Sequence, residues 1–450
     1  MTRTTPDPYS HRAIWAIALP LIVSSVSVPL VGLVGTGVLG HLEDAAYLAA
    51  VAAGAQLFSV LFVSLNFLRM GTTGITAQAY GACATESAPG TAIRQSLGEA
   101  TVVALTLGMM IILLQAPIGS AALRIVGAEP HVTDLARQYF DIRVWSAPAA
   151  LFNFVAIGWL IGMQNGRGPL AITLAINVTN MTLDLIFVLG LGFKVRGVAT
   201  GALLAELAGA AVAIWVVKLQ LERHPGSWAG TRLWELQPYR SLLRINGNLF
   251  VRTVALISTF AFITVQGARL GTVLLAANAV LLNFQWLTSY ALDGIANAAE
   301  ALVGKAIGSR DASGLRRAVR RALAWSLGFG ALFSLLFWVA GPAIIRLLTG
   351  LPEVRGTALE YLPWMILLPW ISVWSFFYDG VFVGATRSRE MRVVMTASAT
   401  LVFLPVWYLS RDLGNHGLWL AFAAFMLARG LGMHLWFNHI KDTLADDQAR

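Results

Sequence analysis

The amino-acid sequence predicts an all-α integral membrane protein of about twelve transmembrane helices, arranged as two pseudo-symmetric six-helix bundles. Three observations carry this prediction. Hydrophobic residues make up 57% of the 450-residue chain and charged residues only 12%, with a mean hydropathy of +0.68. A soluble surface needs about twice that charge. Apolar runs near the ~20 residues that cross a bilayer recur from Ala13 to Phe437, separated by short charged or Gly/Pro-containing joints. The two halves of the chain also align on each other in a nearly constant register.

Apolar runs and their breakers place the helices of the first half near Ile14 to Leu39, Leu48 to Met70, Ser96 to Pro117, Phe140 to Met163, Leu170 to Leu191 and Val198 to Leu221. The second half repeats the series at Leu242 to Val265, Val273 to Val303, Leu323 to Leu348, Leu362 to Gly384, Val393 to Leu409 and Leu418 to Phe437. Residues 1–223 are therefore expected to form an amino-terminal lobe, 224–238 a cytoplasmic joint, and 239–450 a carboxyl-terminal lobe. The run that begins at His11 is too long for a signal-peptide core and shows no small-residue cleavage pattern, so it stays as the first helix.

The formal net charge of +9 invites a nucleic-acid reading, which the positions of the charges exclude. With an inside amino terminus, alternate joints hold roughly 20 Lys and Arg against about 8 on the other side, the positive-inside bias of a membrane protein. The basic joints include Lys218 to Arg244, the cluster Arg316, Arg317, Arg320, Arg321, and Arg387, Arg389, Arg392. Both termini are then cytoplasmic, and the basic joints face anionic headgroups. The single cysteine, Cys83, excludes an internal disulfide framework and a multi-cysteine metal cluster.

In the repeat, Leu48, Ala49, Ala50, Asn66, Ala79 and Gly81 fall on Leu275, Ala276, Ala277, Asp293, Ala306 and Gly308. Further on, Tyr139, Gly158, Gly162 and Arg167 fall on Tyr361, Gly380, Gly384 and Arg389. Because each half has an even helix count, the repeats share one orientation and predict an axis along the membrane normal with a cleft between the lobes.

Ionisable groups inside a bilayer cost several kcal/mol unless they are paired or hydrated, so each one in a span is a candidate for function. In the fifth span Thr173, Asn177, Asn180 and Asp184 are spaced four, three and four, one stripe of a helix. The matching positions of the eleventh span, Ala399, Val402 and Val406, are apolar, so the fold does not require the stripe. Such groups either glue helices together or line a wet cavity as a proton or cation site. The eighth span carries Asp293, Asn297 and Glu300 on one face and ends in Lys305; Arg252 lies in the seventh span, and Tyr378 with Asp379 in the tenth. Arg252 is expected to neutralise one of these acids. Trp286, Tyr290 and Tyr378, beside acids, offer stacking surfaces for a flat cation. Glu206, Glu99, Asp141 and Arg143 rank lower, as residues placed to pair locally or to reach an interface. Pro20 and Pro29, followed by Gly32, Gly35 and Gly37, weaken the backbone ladder of the first span and predict a bend or a close-packed face.

The chain has no HExxH, no GxSxG and no Walker lysine loop, and the glycines of GLVGTG from Gly32 follow a membrane span instead of a strand. An intramembrane enzyme would need a paired nucleophile and base in the spans, whereas the seven histidines lie mostly in joints or near helix ends. Ion gradients remain as the energy source, which makes the chain a secondary active transporter and not an enzyme.

Four segments, PLVGLVGTGVLGHL from Pro29, LRMGTTGITAQAYG from Leu68, ALDGIANAAEALVGKAIG from Ala291 and YDGVFVGATRSR from Tyr378, resemble the DinF-like branch of the multidrug and toxic compound extrusion (MATE) family. The resemblance covers nearly the whole chain. It implies a V-shaped pair of six-helix bundles that exports amphipathic, often cationic compounds in exchange for protons or sodium ions. By position, Asp184 and Asn180 match the amino-lobe cation site, with Asn177 and Asn153 nearby, and Asp293, Glu300 and Asp379 match acids of the carboxyl lobe. One departure stands out: the family pattern in the first span has an acid where this chain has Gly35. Three explanations stay open: Asp184 suffices, coupling has moved to the carboxyl lobe, or the sequence carries a loss-of-coupling change.

The expected activity is multidrug efflux by proton antiport in a bacterial cytoplasmic (inner) membrane. Sodium coupling and a lipid or lipid-linked-precursor flippase are the alternatives. The expected partners are a small-molecule substrate and membrane lipids, for a monomer that binds no nucleic acid, no metal and no cofactor beyond the coupling ion.

Overall fold

The computed structural model describes residues 7–39, 44–83, 89–127, 129–228, 231–233 and 235–449. Among them twelve helical spans are long and apolar enough to cross a membrane. The first half contains α1 (His11–Leu39), α2 (Ala45–Leu65), α3 (Phe67–Ala82), α4 (Pro89–Leu113), α5 (Gln115–Val126), α6 (Pro130–Arg143), α7 (Ala147–Gly162), α8 (Arg167–Asp184) and α9 (Lys194–Glu222). The second contains α10 (Leu236–Leu270), α11 (Thr272–Gly308), α12 (Ala312–Leu348), α13 (Pro352–Gly384), α14 (Ser388–Ala397), α15 (Leu404–Ser410) and α16 (Asn415–Ala449). The pairs α2–α3, α6–α7 and α14–α15 each make one span, and α5 is a short connector that ends at Gly127 in the left-handed conformation (φ 61°).

The helices outrun the apolar stretches that reveal them in the sequence. The ninth span starts at Ala312, well before the expected Leu323, because Asp311 caps it by accepting a hydrogen bond from Gly314 N at 2.7 Å, and the arginine-rich turns that follow stay helical. The fourth span starts at Pro130, where proline at the first helical position needs no backbone donor, and not at Phe140. Along the spans both faces are apolar. On α12, Leu332, Leu335, Trp338 and Val339 are 54–69% exposed while Phe333 and Phe337 are buried, a pattern that hydrocarbon tolerates and water does not.

The chain divides into two compact units: Leu19–Leu243, and Arg244–Arg450 joined by the described part of Met1–Ala18. In the first unit α7 is central, packed on α3, α4, α8 and α9. In the second unit α13 has that place, packed on α11, α12 and α16.

The two units repeat each other at the level of single backbone contacts. A Cβ on Gly158 would stand 2.3 Å from the carbonyl oxygen of Arg69, and one on Gly162 would stand 2.8 Å from that of Thr73. In the second unit a Cβ on Gly380 would stand 2.2 Å from Ala296 O, and one on Gly384 2.3 Å from Glu300 O. The glycines and their carbonyl partners each correspond at the offsets read from the sequence. Only the absence of a side chain lets α7 and α13 approach the neighbouring backbone this closely, the small-xxx-small device of membrane helices. Beyond the second glycine, both chains turn through a residue with positive φ, Gln164 (59°) and Thr386 (54°). Each turn closes with the same bond, Asn165 N to Leu160 O and Arg387 N to Phe382 O, both at 2.9 Å.

The segment ahead of α1 folds onto the second unit. Tyr9 is buried in the notch left by Gly314, Arg321 Nη1 donates to Asp7 Oδ2 at 2.5 Å and to Tyr9 O at 2.7 Å, and Trp325 Nε1 donates to His11 Nδ1 at 3.0 Å. Trp15 meets Trp325 edge-on at 5.0 Å. The bond from the Arg321 guanidinium holds the Asp7 carboxyl below the usual carboxylate range, so this pairing persists into mild acid.

Gly158→Ala and Gly380→Ala should each lower stability by about 1–3 kcal/mol, the cost of overpacking against a neighbour that cannot move aside. Gly328→Ala, whose Cβ meets nothing within 4 Å, should be near neutral. Thermal unfolding midpoints of the detergent-purified variants check both, and equal midpoints for all three would refute the packing account.

Candidate functional site

In the amino-terminal unit, Asp184 ends the α-helical part of the fifth span, just before a π-helical turn at Leu185–Gly190. Such turns re-aim the side chains beside them. The carboxylate is 2% exposed and lies between two glycines. A Cβ on Gly201 of α9 would stand 2.8 Å from Oδ1, and one on Gly35 of α1 would stand 3.9 Å from Oδ2. Oδ1 has no hydrogen-bond partner, and among the described residues Asp184 makes no ion pair.

The other members of the stripe point to different neighbours. Asn177 Nδ2 donates to Ser27 Oγ of α1 at 2.7 Å, and Asn180 is buried. Asn153 of α7 donates through Nδ2 to Glu206 Oε2 at 2.9 Å and to Glu206 O at 3.0 Å on α9. Arg143 at the end of α6 hydrogen-bonds Tyr139 Oη, and its guanidinium lies over the rings of Phe58 at 5.2 Å and Tyr139 at 5.7 Å. Its positive field reaches both Asp184 and Glu206. Glu206 and Arg143, which ranked low by sequence, thus belong to the polar centre of this unit. The repeat carries a signal for them: at the offset that maps Tyr139 onto Tyr361, Arg143 falls on Met365 and Glu206 on Ala428, both apolar.

Pro20 and Pro29 lie inside α1, which runs as one helix from His11 to Leu39 without a break. Two hydroxyls add second bonds to carbonyls between the prolines: Ser25 Oγ donates to Leu21 O and Ser27 Oγ to Ser24 O.

In the carboxyl-terminal unit the acids are held differently. Asp379 Oδ2 accepts from Arg252 of α10 and, at 2.8 Å, from Arg429 Nη2 of α16. All three side chains are buried. Arg429 also lies over the Phe425 ring at 5.4 Å and is within reach of the field of Asp293 on α11. Sequence reasoning passed over Arg429, although its counterpart at the same offset is the apolar Leu207. Asp293 Oδ2 accepts a long bond from Ser289 Oγ at 3.4 Å. Glu300 is buried where its backbone carbonyl meets Gly384, and Asn297 is half-buried on the same helix. Tyr378 turns to a different partner, with its hydroxyl 2.5 Å from His434 Nδ1 and its ring beside Phe437. Trp286 stacks on Phe260 at 5.4 Å.

A family model described as MatE matches residues 20–186 and 249–409, one stretch in each unit. The chain is 42% identical to DNA damage-inducible protein F of Escherichia coli (strain K12) over 438 residues, 96% of this chain and 93% of that protein. It is 26% identical to the probable multidrug resistance protein NorM of Rhizobium meliloti (strain 1021), over 73% of this chain and 70% of the relative. Among solved structures, MATE in the bent conformation superposes with a TM-score of 0.88 over 99% of this chain and 98% of that one, at 19% identity. An outward-facing multidrug resistance MATE family transporter of the MOP superfamily gives 0.85 at 20% identity, over 98% and 97%. These two likenesses bear on the fold, while the family rests on the matches that run through both halves: the chain belongs to the MatE family, as a multi-pass membrane transporter of its DinF-like branch and not an enzyme.

Proposed function

We propose that the chain is a proton-coupled antiporter of a bacterial inner membrane, with both termini cytoplasmic, that exports amphipathic cationic compounds by alternating access. The observation that carries the reading is the Asp184 carboxylate, buried, without an ion pair and with Oδ1 lacking a hydrogen-bond partner. A carboxylate left this way in a low-dielectric site is costly, and either a proton or a cationic substrate relieves the cost. The two cannot occupy the same oxygens together. That mutual exclusion is the requirement of an exchanger, because each ligand stabilises a different state of the protein.

Asp379 of the other unit fits this role less well, because two guanidinium groups already sit on one of its oxygens and balance its charge. Asp184 has only the field of Arg143. Gly35 bears on the strength of coupling. An acid there would be placed beside Asp184, and two neighbouring carboxylates hold a shared proton more readily than one alone. The related NorM proteins are described as multidrug resistance proteins, which supports the substrate class.

A second reading is favoured by one feature: Arg252 and Arg429 outnumber the single Asp379 they hold, and this local excess of positive charge suits cargo with an anionic group, such as a lipid precursor. Proteoliposomes that carry a pH or a sodium gradient, assayed with an organic cation and with an anionic lipid, separate the proton antiporter from both alternatives.

Asp184→Asn should reduce pH-driven export of the organic cation to the level of empty liposomes without lowering thermal stability. Asp379→Asn should show the opposite pattern, retained pH dependence with a lower unfolding midpoint, because it strands two buried arginines. Normal export by Asp184→Asn would remove Asp184 from the coupling role.

Gly35→Asp should increase the rate of pH-driven export several-fold. A Cβ at Gly35 meets only Asp184 Oδ2, at an ordinary contact distance of 3.9 Å, so a loss of folding is not expected to hide the result. A rate equal to that of the unaltered chain would mean that position 35 plays no part in coupling.

A further inference from the structure

The first turns of α12 carry Ser313, Arg316, Arg317 and Arg320 at spacings of three, one and three, which puts all four on one helix face. They line a hollow of about 420 Å³. The arginines differ in how their charge is used. Arg317 lies 3.8 Å from Asp7 and 3.7 Å from Asp311, whereas Arg316 and Arg320 are exposed and make no ion pair among the described residues. Two positive charges at this hollow are therefore uncompensated.

Its position selects the partner. From Ala322 to Ile345 the helix has no charged residue, a stretch long enough to cross the hydrocarbon layer. At 1.5 Å per residue, Arg316 and Arg320 then lie within about 9 Å of the apolar edge, which is the depth of lipid phosphates. The arginine fork matches phosphate oxygens in geometry as well as charge.

The geometry points to this hollow as a binding site for the phosphate group of an anionic phospholipid, with Arg316 and Arg320 as its ligands. The chemistry is shared with free phosphate, but the adjoining apolar run favours a headgroup whose acyl chains lie along α12. The hollow is lined by none of the buried acids.

Titrating the detergent-purified, full-length protein with short-chain phosphatidylglycerol or phosphatidylcholine, read by native mass spectrometry, tests the proposal. Phosphatidylglycerol should bind in preference. R316Q/R320Q should weaken it about 25-fold, at about fivefold per arginine, while R316K/R320K should restore most of the affinity. Both residues are exposed, so the lipid-free unfolding midpoint should not change. Arg346→Gln, exposed near the other end of α12, should leave binding unaltered. Any of three results overturns the site: R316Q/R320Q binding phosphatidylglycerol like the unaltered chain, Arg346→Gln losing as much affinity as the double variant, or inorganic phosphate binding tightly with no preference between the two lipids.

Discussion

The close approach of bare glycine to backbone carbonyl is the contact on which the rest of the molecule depends. Gly158 and Gly162 bring α7 onto α3, and Gly380 and Gly384 bring α13 onto α11. Each pair fixes the central helix of its unit, against which α4, α8 and α9 pack in the first and α12 and α16 in the second. In hydrocarbon there is no difference in water exposure to drive helices together, so close backbone packing has to supply the attraction. A frame held at that distance leaves little room for choice, and both units adopt the same local geometry down to the positive-φ residue after the second glycine.

The polar groups are placed where the two units stop resembling each other. In the first unit Asp184, Glu206 and Arg143 share one region, and the positions that correspond to them in the second unit are apolar. In the second unit Arg252, Asp379 and Arg429 form a compact cluster, and Asp379 and Arg429 correspond to the apolar Ile157 and Leu207 of the first. Asp184 makes no ion pair among the described residues, whereas Asp379 takes two guanidinium groups on one of its oxygens. The same scaffold thus holds one buried acid without an ion pair and one with two.

Much of this was legible in the sequence. Twelve spans follow from apolar runs, because the length of a bilayer-crossing helix leaves few alternatives. The repeat could be read from Tyr, paired Gly and Arg at one offset, since glycines that admit a carbonyl tolerate no other residue. Helix ends were less legible. The arginine-rich start of α12 is helical because of a cap at Asp311, and hydropathy carries no information about caps. Asp184 was recognisable from its stripe, but the importance of Glu206, Arg143 and Arg429 depends on partners far away in the sequence. Asn153 meets Glu206 across 53 residues, and Arg429 meets Asp379 across 50. Tyr378 was misleading for the same reason: its neighbour in sequence is Asp379, yet its hydroxyl meets His434.

The docking of the segment ahead of α1 has a consequence for how the protein is made. Asp7 and its partner Arg321 are separated by 314 residues, so the segment ahead of α1 has to wait for eight later spans before its binding surface exists. Closure of this contact therefore belongs to the end of assembly, and a chain interrupted before α12 would keep its amino-terminal segment undocked however well the first unit had folded.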